Sequence, residues 1–213
     1  MEFEYELIEK IKPRPGVFLG EPSITRLQSF LNGYATALYD YEISNEIDAL
    51  LPLPFWFFHE YVARRYNFNG SISGWRNMIL KQVNSEEEGL NLFFELFDEF
   101  KQLKAEALQR SVINQECLDF HYSNKYAPKR LTGSSFDKAE PLYKDAIEIY
   151  YAKLSRNIGY IGLVRNEKGI EFIREIYKTE NEILNYFEIC FGNLIHWQIQ
   201  KFNNICFQSK YIV

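Results

Sequence analysis

Apolar side chains at Leu90, Phe93, Phe97, Phe100 and Leu103 recur at intervals of three and four, with Phe94 and Leu96 beside them. That spacing puts them on one face of a helix. Ser85 supplies an N-cap, and Glu86, Glu87 and Glu88 place acids in the first turn, where the helix dipole favours them. The pattern predicts a helix from Glu86 to about Arg110 or beyond. A second helix is predicted from Ser23, an N-cap with Pro22 just outside it, carrying Leu27, Phe30, Leu31, Tyr34 and Leu38 on one face. Gly33 within it either weakens the helix or permits close packing. After a polar loop to Pro52 and Pro54, Phe55 to Tyr66 reads as a third helix, with Phe55, Phe58 and Tyr61 or Val62 sharing a side. Asn67 to Gly74 is turn chemistry, and Trp75 to Val83 is either a short helix or an extended segment.

The period changes in the second half. Ile147 to Tyr151, Tyr160 to Val164 and Ile170 to Tyr177 are rich in β-branched and aromatic residues, with turn residues at 166–169. They predict a three-stranded antiparallel meander with 170, 172, 174 and 176 facing inward, Arg174 being the exception to that pattern. Residues 141–154 stay open between strand and helix, because Leu142, Ala146, Ile149 and Tyr150 also fit a helical face. Thr179 followed three residues later by Glu182 makes a capping box for a helix through Ile183, Tyr186, Phe187 and Cys190, which Gly192 and Asn193 would stop. The fold class expected is α+β: an N-terminal helical part, then a small antiparallel meander with a C-terminal helix. A helical domain over 1–122, a linker or loop over 123–138, and a meander plus helix over 139–213 is the expected organisation, the two parts possibly forming one packed unit. The state of the tail at 193–213 is open.

Composition adds one departure to this picture. Of 213 residues 46% are apolar and 25% charged, as in ordinary globular domains, but 17% are aromatic, with 18 Phe and 15 Tyr. Such residues fill cores and anchor interfaces, and composition alone does not divide them between the two. The longest strongly apolar run, Phe55 to Phe58, is far short of the roughly 20 residues a membrane span needs. The start, MEFEYELIEK, has acids where a secretory signal would have bases, so a cytoplasmic protein is expected. Cys117, Cys190 and Cys206 are odd in number and lack CxxC spacing, which fits reduced buried thiols. The net charge of −5 argues against nucleic acid, which needs a cationic surface. Lys125, Lys129 and Arg130 are too few to change that, although Tyr122 and Tyr126 could stack on a base.

Candidate chemistry is thin. The lead-in IKPRPGVFLG, residues 11 to 20, resembles the short motif at the entry of the nucleotide-binding domain of type II topoisomerase B subunits. The helix that follows has no Glu with an Asn close behind it, and the chain has no glycine loop of the phosphate-binding kind, so a turn that launches a helix is the better reading. His59-Glu60 opens a zinc-peptidase pattern that fails at Ala63, where the second His must stand. His121 and His196 have no ligand partner nearby in sequence, and Cys190 lies in an apolar helix, where burial raises a thiol pKa. Neither a catalytic group nor a cofactor or metal is therefore expected. Glu88, Glu95, Asp98, Glu99, Gln102 and Glu106 lie away from the Phe/Leu stripe. They form either a solvated face paired with Lys101 and Lys104 or a docking surface for a basic partner. Trp75, after two turn residues, is a core residue or an interface anchor.

Four segments, RPGVFLG from Arg14, SITRLQSFLNGY, FHEYVARRYNFNGSISGW and NLFFELFDEFK, resemble a family of uncharacterised bacterial immunity proteins that accompany polymorphic or contact-dependent growth-inhibition toxins. The resemblance covers about residues 10 to 104. It implies a cytoplasmic, non-enzymatic antitoxin that blocks a cognate toxin domain, often a cationic nuclease, by stoichiometric binding. On that reading Glu95, Asp98, Glu99 and Glu106 would meet the partner, with Trp75 as an anchor. The alternatives are a hydrolase with a site assembled from distant His, Cys and carboxylate groups, and an interaction module with no toxin partner. Oligomeric state is not legible.

Overall fold

A computed structural model describes residues 3–41, 50–68, 74–113, 129–131, 139–141, 147–166, 169–173, 175–191, 195–196 and 198–200. The expectations for the loop at 42–49, most of the turn at 67–74, Cys117, Cys206, His121, Tyr122, Lys125, Tyr126, Arg174, Gly192, Asn193 and the end of the tail lie outside these residues. The chain divides into two compact units, Met1–Leu103 and Lys104–Val213. Of the stretch expected to link two parts, 123–138, only Lys129–Leu131 is described, and it is a strand.

The first unit is helical. It runs through α1 (Phe3–Ile11), α2 (Pro15–Leu19), α3 (Ile24–Asp40), a 3-10 turn (Phe55–Phe57), α4 (Phe58–Arg65), α5 (Gly74–Leu80) and α6 (Glu86–Lys101). Sequence spacing does not single out α1, whose buried stripe is only Tyr5, Ile8 and Ile11. The lead-in is a turn followed by one helical turn: Pro15 takes the first position of α2, and Gly20 ends it at φ +79°, a conformation that favours glycine. Both predicted caps form. The Ser23 Oγ accepts from the Arg26 N–H, and the Ser85 Oγ accepts from the Glu88 N–H at 3.1 Å. Glu86 then ties the two helix starts together. Its carboxylate accepts from the Ser23 hydroxyl at 2.7 Å, the Thr25 N–H at 2.9 Å and the Thr25 hydroxyl at 2.8 Å.

The α6 stripe is buried along its whole length, from Leu90 through Phe100 to Leu103. Its rings form the centre of an aromatic core. Phe97 lies 5.1 Å from Tyr5 and Phe93 5.1 Å from Phe58, and Phe100 lies 5.4 Å from Tyr61. Such pairs gain energy beyond area burial. Tyr5, Phe57, Phe58, Tyr61 and the rings of the α6 stripe thus go into the core, whereas Phe30, Tyr39, Tyr41 and Trp56 are exposed. On α3, Leu27 and Leu31 are buried, whereas Phe30 sits at the edge, partly exposed and edge-on to Phe18.

The predicted length of α6 is corrected. The helix ends at Lys101, and Ala105–Ile113 is strand β1. Local preference in QLKAEALQR is helical, but the apolar spacing breaks at Arg110, and pairing on both sides within a sheet overrides propensity. Glu106 is consequently on a strand and not on the helix.

The second unit contains β1, β2 (Lys129–Leu131), β3 (Ala139–Pro141), β4 (Ile147–Leu154), β5 (Gly159–Asn166), β6 (Gly169–Phe172), α7 (Glu180–Phe191) and β7 (Gln198–Gln200). An antiparallel five-stranded sheet has the order β6-β5-β4-β1-β7, and β2 and β3 make a separate pair. The expected meander is thus β4-β5-β6, and residues 147–154 are strand. It differs at its end: β6 stops at Phe172, and Tyr177 returns as a lone bridge to Tyr160, each N–H donating to the other's carbonyl at 2.8 Å. Ile147, Ile149, Tyr151 and Val164 form one sheet face and share a core with Ile183, Phe187, Cys190 and Phe191 of α7. The capping box at its start forms as predicted, with the Glu182 N–H donating to the Thr179 Oγ1 and the Thr179 N–H to the Glu182 carboxylate, both at 3.3 Å. The architecture is α+β, with helices first, strands in the middle and a C-terminal helix.

Candidate functional site

The burial of the α6 stripe fixes where the other side chains of that helix go. Glu95 is exposed, Asp98 and Glu99 half-exposed, and the three differ in what holds them. Asp98 is engaged within the unit: Lys12 donates to its carboxylate, and Lys101 lies 2.9 Å from it while also contacting Glu9. Burial pushes the Asp98 carboxyl up, but the two lysines outweigh this and hold it below the usual carboxylate range. For Lys101 the same cluster outweighs desolvation and holds the ammonium above its usual value. Asp98 therefore helps to fasten α1 to α6.

Glu99 faces α4. The Tyr61 hydroxyl donates to its carboxylate at 2.9 Å, and the Arg65 Nε lies 3.7 Å away. Tyr66, at the end of α4, feels both Glu99 and Glu95: burial, and then these two charges, push its hydroxyl pKa up against the opposing effect of Arg65. Glu95 itself has no hydrogen bond or ion pair among the described residues. The result is an edge of α4 and α6 at which Glu95, unpaired among the described residues, is exposed near Glu99 and Tyr66.

The remaining expected contact residues sit elsewhere. Trp75, on α5, is half-buried with its ring 4.9 Å from Phe93 and edge-on to Phe58 at 5.9 Å, so it packs on the aromatic core. Glu106 belongs to the second unit, exposed beside Lys153 at 3.5 Å. The α6 acids and Glu106 thus do not form one ribbon on one helix.

A polar cluster that sequence reasoning missed lies on the sheet face opposite α7. Arg110 of β1 donates to Glu148 of β4, the Tyr150 hydroxyl donates to the other Glu148 oxygen at 2.5 Å, and Arg165 of β5 lies 3.5 Å away. Cross-strand register explains the meeting, since Arg110 opposes Tyr150 and Glu148 opposes Arg165. Burial raises the Glu148 pKa, yet Tyr150 and Arg110 outweigh it and leave it lowered. Tyr150 is pushed up to about 12, by burial and then by the bond to Glu148. A carboxylate held ionised by two guanidiniums is a poor general base, so the cluster reads as a charge-locked clasp between strands. Its sequence signal, Glu148 and Tyr150 alternating with Ile147, Ile149 and Tyr151, is also that of an ordinary solvent face.

The other candidate groups are dispersed. His59 is half-buried at 3.9 Å from Glu60, and Cys190 is a buried thiol whose pKa burial raises. Among the described residues no cluster of His, Cys, Asp or Glu is placed to hold a metal ion, and no helix is long and apolar enough to cross a membrane. No family model, curated protein or solved structure matches the chain.

Proposed function

We propose that this protein is an immunity protein that binds and neutralises a cognate toxin domain, a cationic nuclease being the partner its charge suits best. The observation that carries the reading is the α4–α6 edge, where Glu95 is exposed and unpaired among the described residues beside Glu99 and Tyr66. Complementary charge speeds encounter, and the net charge of −5 extends that attraction beyond the contact itself. The mechanism is stoichiometric masking, with no bond made or broken. Glu95 and Glu99 pair with lysines or arginines of the toxin, while Tyr66 supplies amphipathic contact area. Asp98, engaged by Lys12 and Lys101, contributes to the rigidity of the edge more than to binding.

Co-expression with the product of the gene immediately upstream tests the proposal. The expected outcome is rescue from toxicity and a co-purifying complex that weakens as salt rises. Glu95→Lys is expected to weaken the complex by about tenfold while the far-UV circular dichroism stays unchanged, the affinity being read by calorimetric titration. A neighbour that is toxic alone, is not neutralised and does not co-purify ends the immunity reading.

A further inference from the structure

On α3 a second surface stands out, carried by a different helix from the acidic edge. Arg26, Phe30, Gly33, Ala37 and Asp40 recur at four, three, four and three residues, so they lie along one face, and every one of them is exposed. Ser29, Thr36 and Tyr39 extend the exposed surface, Tyr39 at 83%. From Leu27 to Tyr39 there is no charged residue. A solvated helix face usually carries charge, and depletion of charge with exposed aromatics is the composition of an interface core.

Two features of this face suit a second helix lying across it. Gly33 is disfavoured in a helix interior, its φ is not positive, and a Cβ added there would meet nothing within 4 Å. The end charges also run against the helix dipole: Arg26 is in the first turn and Asp40 is the last residue, while the first turn has no acid and the last no base.

We infer that α3 is the contact surface of a homodimer, with two copies of the helix packed antiparallel and crossing at Gly33. Arg26 and Asp40 stand seven residues before and after Gly33, so each Arg26 lies across from Asp40 of the second copy. That arrangement puts each base at the partner helix's negative end and each acid at its positive end. The same face, reversed, supplies the complement, and this fixes the occupant as a second copy. The glycine then admits the partner's backbone, with Ser29 and Ala37 meeting on either side. Arg26 already pairs with Glu21 at 2.6 Å, but both are exposed and such a pair is readily shared. A helix of 17 residues is about 25 Å long, and contact along it alone buries less than a standard stable interface. The dimer is therefore weak and concentration-dependent.

Sedimentation velocity on the full chain, from low micromolar to near-millimolar concentration, tests this. The wild type is expected to shift from monomer to dimer across that range. Gly33→Arg, and separately Ala37→Arg, should stay monomeric throughout with unchanged far-UV circular dichroism. Arg26→Asp should raise the dissociation constant roughly fivefold, and Arg26→Asp with Asp40→Arg should restore it. A wild type that is monomeric throughout overturns the inference, as does a dimer unaffected by either arginine substitution. A double charge swap no better than the single one overturns the antiparallel register.

Discussion

At Gly162 the sheet and α7 come so close that a methyl group there would lie 2.7 Å from the Ile173 Cδ1, 2.9 Å from the Phe187 Cζ and 3.1 Å from the Ile183 Cδ1. Three apolar side chains would have to give way together. Gly162→Ala is expected to cost about 1–3 kcal/mol, the range for overpacking a core, measured as a fall in the urea midpoint. The Arg110–Glu148–Tyr150 clasp makes a pH prediction. Glu148 has a lowered pKa, so its contribution is present above the unfolded value and lost as pH falls through the folded one. Tyr150 and Tyr177 are each raised to about 12, so their contribution holds below pH 10 and drains away between about 10 and 12. Stability measured against pH should therefore form a plateau with an alkaline shoulder, and Tyr150→Phe should reduce that shoulder. An unchanged alkaline limb in the variant would remove Tyr150 from it.

Helix ends set the next scale. Ser85→Ala removes the acceptor for the Glu88 N–H and should cost about 1 kcal/mol by chemical denaturation. Ser23→Ala should cost more, because the Ser23 hydroxyl both caps α3 and donates to Glu86. Equal losses would show that the link to Glu86 adds nothing. These caps were legible in the chain because a cap is a local event, decided by Ser85 and Glu88 or by Thr179 and Glu182. The stripe of α6 and strand β5 were legible for the same reason, whereas β4 fitted a helical face as well as a strand, and β6 ends at Phe172, short of the run expected to Tyr177. The end of α6 was not legible, since residues 102–110 favour helix locally, yet the chain becomes strand from Ala105 on through partners at 147–154 and 198–200. The clasp escaped for a related cause, Arg110, Glu148 and Arg165 being joined only by strand register. Of the expected contact residues, Glu95 and Glu99 share one edge. Nothing in the spacing revealed that Asp98 would be engaged by Lys12, just past the end of α1, or that Glu106 would leave the helix.

For the whole molecule, the two units each enclose a hydrophobic centre of their own. The rings named for the first unit's aromatic cluster, from Tyr5 through Phe58 to Phe100, all belong to Met1–Leu103. Residues 1–103 expressed alone are therefore expected to give a helical circular dichroism spectrum and a cooperative thermal transition. A non-cooperative melt would mean that this centre is not sufficient. The Glu86 carboxylate adds a consequence in time. It joins residues 61 and 63 positions away in the chain, so the start of α3 acquires its full set of bonds only after the start of α6 exists. Closing so long a loop has an entropic cost that an isolated α3 cannot offset. Order in this unit should consequently arrive late and all at once during synthesis, when the residues around Glu86 have emerged, and not helix by helix from the N-terminus.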